Sequence, residues 1–158
     1  MSGLKTKRIL VPAILLGIFS MVGCLFSSDS GDALPARYFK DSVQSIFDGK
    51  CIECHVVGGY GWSLTGGDSG GLDLTAPNSY KDLINRPAFQ HKYAPDLVPN
   101  LLVKPGDADS SYLYLKVSSA APGYLNPMPW VSRLTPSEIN AIKRWIEAGA
   151  PLGDTTTH

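Results

Sequence analysis

Two stretches of the 158-residue chain place apolar residues at helical spacing. Tyr38, Phe39, Val43, Ile46 and Phe47 share one face, so residues 36–50 are expected to form an amphipathic helix. Ile139, Ile142, Trp145 and Ile146 share a face near the other end. There Thr135 suits an N-cap, Pro136 the first helical position, Glu138 a capping box and Gly149 the stop. Two shorter helices are expected near 78–85 and 109–118. The second is ambiguous, because "YLYLKV" (112–117) also alternates like a strand, and Asp109 as a cap favours helix. The remainder, rich in Gly and Pro, reads as loop. The pattern therefore predicts a small all-α domain over 36–152 with about four short helices and long loops. So little regular structure makes a core that is marginal alone.

A third apolar run, Ile9–Val22, has a different meaning. Lys5, Lys7 and Arg8 precede it and no acid occurs before Asp29. A basic head followed by an apolar segment and small residues is a secretory signal. "MVGC" (21–24) resembles the lipobox of bacterial lipoproteins, with Met21 in place of the usual Leu, and makes Cys24 the expected lipidation site. The rival is an uncleaved anchor, since apolar character continues to Phe26. Both readings export the domain and attach it to a membrane, facing the periplasm or cell exterior. Residues 24–35 then form the lipidated cysteine and a flexible tether, and 153–158 a disordered tail. Removing 1–23 takes three of the 14 basic residues and none of the 14 acidic ones, so the net charge falls from zero to −3. With no basic stripe, nothing points to nucleic acid.

The chemistry concentrates in "CIECH" (51–55). In an exported protein a disulfide is the default for two cysteines. A bridge across two intervening residues, however, closes a tiny loop and adds little. A redox-active pair usually follows a strand and opens a helix, whereas Cys51 and Cys54 follow a helix and run into "VVGGYGW". A structural zinc site needs four ligands, and no second Cys or His pair exists. The histidine directly after the second cysteine is what those readings leave unused. Two thiols at this spacing can bond both vinyl groups of one haem, and His55 then meets the iron: the c-type attachment signature. Such a haem c, held by Cys51 and Cys54, also supplies the missing apolar centre. Candidates for the second axial ligand are Met128, His91 and His158. Met128 is the only methionine after residue 24 and stands between Pro127 and Pro129, which stiffen its segment. His91 reads as an exposed loop histidine.

"VQSIFDGKCIECH", "GGLDLTAPNSYKDLI", "LVKPGDADSSYLYLKV" and "NPMPW…LTPSEINAIKRWIEAGAP" occur in this order. The series resembles the class I cytochrome c fold, and in particular the planctomycete-type cytochrome c domain, over residues 36–152. The resemblance implies a fold of short helices around one covalent haem, in which the first and last helices cross with Trp145 against Phe47, and Met128 is the distal iron ligand opposite His55. It departs at one point: no Gly-Pro follows the haem motif, so the backbone acceptor for the His55 ring is unassigned. The implied function is single-electron transfer between a redox protein donor and acceptor, without catalysis. Alternatives are an electron-entry subunit of a dehydrogenase or oxidase, and a haem sensor or peroxidase-like protein with an open iron.

Overall fold

The structure is a computed structural model that describes residues 34–69, 71–119 and 126–153. The segment read as a signal, Cys24, the expected tether as far as residue 33, and the expected tail from 154, His158 included, lie outside the described residues. Among the described residues the domain is all-α, with five short helices and no sheet. They are α1 (Ser45–Lys50), α2 (Tyr60–Leu64), α3 (Ser79–Leu83), α4 (Tyr112–Val117) and α5 (Pro136–Glu147). A wider π-helical run, Phe39–Gln44, leads into α1, and tight 3-10 turns occupy Gly67–Ser69 and Phe89–Lys92. Isolated bridges, Ile84 with Val103 and Leu101 with Ser111 among them, join the extended segments. No described helix is long and apolar enough to cross a membrane.

The π-helical run keeps Phe39, Val43 and Gln44 buried on one side, and Ile46 and Phe47 extend that face through α1. α5 begins as its sequence predicts. The Thr135 hydroxyl accepts from the Glu138 amide at 3.3 Å, and the Glu138 carboxylate accepts from the Thr135 amide at 2.7 Å. Its buried face is Ile142, Trp145 and Ile146, with Ile139 half-buried at the margin. Gly149, at φ +89°, follows the helix end.

The first helical run and α5 pack together, but through a different ring from the expected one. Trp145 meets Phe39 at 5.0 Å between centroids, and Phe39 meets Phe47 edge-on at 6.4 Å, so Phe39 bridges the two. Tyr80 of α3 closes the cluster against Phe39 and Trp145. The "YLYLKV" segment is helix, not strand, but it begins at Tyr112 and Asp109 does not cap it. A turn comes first: Asp107 accepts the Ser110 amide at 3.0 Å, and its carbonyl accepts the Ser111 hydroxyl at 2.7 Å. α2 and the turn at Phe89–Lys92 fall where loop was expected, because one helical turn is too short to carry a readable period.

Candidate functional site

Cys51 is the residue at which α1 ends. Its amide still reaches the Phe47 carbonyl at 2.8 Å, while its own carbonyl accepts the amides of Cys54 and His55 at 3.2 and 2.9 Å. One tight turn therefore carries all three residues of the motif. Both thiols are free, Cys51 half-buried and Cys54 exposed. Burial pushes the Cys51 thiol up to about 12, and the Glu138 carboxylate adds to the effect. The negative end of α1 acts in the same sense. A disulfide shuttle needs an acidic attacking thiol, and Cys51 has the opposite character.

His55 is fixed from two sides. Gly61, in α2, lies directly on its ring: a Cβ built there would stand 2.8–2.9 Å from ring atoms Cε1, Nδ1 and Nε2. Only a residue without a side chain permits that approach. α2 is held there because the amides of Gly61 and Trp62 both bond the Cys54 carbonyl, at 2.9 and 3.3 Å. On the other side runs the extended thread Gly71–Leu74, whose Leu74 amide donates to the His55 carbonyl at 2.8 Å.

That thread is pinned at every residue. The Gly71 carbonyl accepts from Arg86 at 2.9 Å, the Leu72 amide donates to the Thr65 hydroxyl at 2.8 Å, and the Asp73 amide donates to Asp82 at 3.1 Å. The Leu74 carbonyl accepts from buried Gln44 at 3.1 Å, and Gln44 in turn accepts the Ser79 hydroxyl proton. Extended backbone with no sheet partner has to be satisfied this way when it is buried.

The result is an imidazole kept neutral. Burial lowers its pKa first, the Leu72 backbone opposes the shift, and the Lys116 charge adds to it. Nδ1 of His55 is buried, and the Leu72 backbone, which opposes the shift as a hydrogen-bond acceptor, is the group on hand to orient the ring.

Met128 is tied to the end of α4, where its amide donates to the Lys116 carbonyl at 2.9 Å. The Met128–Pro129 peptide bond is cis. His91 lies in the turn Phe89–Lys92, half-buried rather than exposed, with Nδ1 2.7 Å from the Val98 carbonyl. Among the described residues no three or more His, Cys, Asp or Glu side chains gather as a metal cage. Gly61, Gln44, Leu72 and Lys116 were not singled out from the sequence. Only the glycines of "VVGGYGW" gave a local sign of a close approach there.

Comparison with protein-family models, with curated proteins and with solved structures gives no match.

Proposed function

We propose that the chain is a monohaem c-type cytochrome with a class I-like fold, exported, lipid-anchored at Cys24, and carrying single electrons between redox proteins. The observation that carries this reading is the His55 ring, its Nδ1 buried and the ring pressed against Gly61, one turn from two free thiols. The residues present fit the group. Cys51 and Cys54 would hold a haem through thioether bonds, and His55 and Met128 would serve as its axial ligands. When bound, haem supplies a reversible one-electron iron couple, which His/Met ligation sets at higher potential than bis-His ligation.

The chain's own contribution is rigidity. The pinned thread and Gly61 hold the His55 ring in one orientation, so the ligand does not reorganise when charge changes. Exposed Val57 and Tyr60 beside the thiols, and Trp130 and Val131 after Met128, offer apolar surface of the kind that a transient protein partner covers.

Mass spectrometry of the exported protein tests the attachment, with one haem expected to survive acid-acetone extraction and to vanish in the double Cys51→Ala, Cys54→Ala variant. A haem that extracts freely from the wild type overturns the reading. Met128→Ala should open the iron to carbon monoxide, abolish any near-infrared sulfur-to-iron band and lower the potential. The rival ligand is His91, whose Nε2 keeps its lone pair when Nδ1 donates to Val98. If His91→Ala opened the iron while Met128→Ala changed nothing, His91 would be the ligand.

A further inference from the structure

We infer that Lys116 is the positioning residue of the distal segment, clamping Asn126 to Met128 against α4 with its main-chain carbonyl and its ammonium together. The inference rests on the reading of Met128 as iron ligand. The carbonyl lies in the last turn of α4, where helical carbonyls lack intrahelical partners, and it accepts the Met128 amide at 2.9 Å. The ammonium donates to the Asn126 carbonyl at 2.8 Å. One residue thus grips the chain on both sides of Pro127, which has no N–H with which to anchor itself.

The side chain has little freedom to let go. Its stem is half-buried, and Nζ stands 5.7 Å from the centroid of the Tyr112 ring, one turn back on the same helix. The far side of the segment is secured separately. Lys50, next to Cys51, donates to the Arg133 carbonyl at 3.1 Å and to Glu138 at 3.0 Å. The two lysines hold the distal segment from α4 and from the thiol turn.

The test uses the haem-loaded, full-length protein. Lys116→Met keeps the stem and removes the ammonium, and Lys116→Arg keeps charge and donors. Loss of one solvent-edge hydrogen bond from a charged donor should raise both Met128 amide exchange and carbon monoxide association roughly three- to tenfold. Lys116→Arg should restore both. Unchanged amide exchange and carbon monoxide binding in Lys116→Met overturns the clamp, as does a loss that Lys116→Arg fails to restore. If Met128→Ala leaves the iron unchanged, the ligand reading falls instead, and Met128 amide exchange alone then decides the clamp.

Discussion

Gly61→Ala adds a single methyl group, and the structure says where it goes. The new carbon would stand 2.8–2.9 Å from three atoms of the His55 ring. Ordinary carbon contacts lie near ~3.5–4.0 Å, so one partner must yield by somewhat under ~1 Å. Neither is free to do so. The Gly61 backbone is bonded to Cys54, and His55 is bonded through its carbonyl to Leu74. Overpacking of this kind costs about 1–3 kcal/mol. For a domain of this length that is roughly 3–15 °C in Tm. The matched control is Gly49→Ala in α1, where a Cβ meets nothing within 4 Å. That change should stabilise by about 0.5–1 kcal/mol through helix propensity. Both variants are compared with wild type by urea titration followed by far-UV circular dichroism and, as a test of the proposed haem, by the visible spectrum. Gly61→Ala should lose stability and disturb the His55 ring, while Gly49→Ala should do neither. A Gly61→Ala protein with wild-type midpoint and spectrum would refute the placement of the His55 ring.

Three further outcomes follow from the geometry. Gln44→Leu strands the Leu74 carbonyl and the Ser79 hydroxyl, and should cost about 1–3 kcal/mol in the same titration, whereas Ser45→Ala, on the exposed side, should cost far less. In protein prepared without haem attachment, iodoacetamide should label exposed Cys54 well before Cys51, whose rate should keep rising toward pH 12; equal rates at pH 8 would contradict the burial of Cys51. Asp107 is held down to about 2 by the Lys104 side chain and by Ser110, below its ordinary 3.8. Its contribution is present above the unfolded value and lost as pH falls from 3.8 toward 2, so Asp107→Asn should flatten stability across that window.

What could be read from the chain was whatever is local. The start of α5 was legible because Thr135, Pro136 and Glu138 act within one turn, and its face because Ile139, Ile142, Trp145 and Ile146 recur at helical spacing over about two turns. The turn that gathers Cys51, Cys54 and His55 was legible for the same reason, since it needs no distant residue. The start of α4 was misplaced at Asp109 because the residue that organises the turn is Asp107, which acts through Ser110 and Ser111. Phe39 was credited to the helical face but not to the Trp145 contact, because ring pairing across helices depends on their crossing. Gln44, Leu72 and Lys116 are invisible to any window. Gln44 meets Leu74 thirty residues on, and Lys116 acts on a histidine from another helix.

The domain also ends where it starts. Gly153 lies so close to the Ala36 backbone that no side chain would fit between them. Just before it, the carbonyls of Ala150 and Pro151 are locked by the Tyr80 hydroxyl and the Trp145 indole, each at 3.0 Å. Entry and exit are thus stitched side by side into the same aromatic cluster. Such a unit can be handled as a cassette. It can be spliced into a surface loop of a host protein with only a few linking residues, or circularly permuted by joining 36 to 153 and opening the chain elsewhere. Either construction would leave the turn at Cys51 and the α4 clamp as they are.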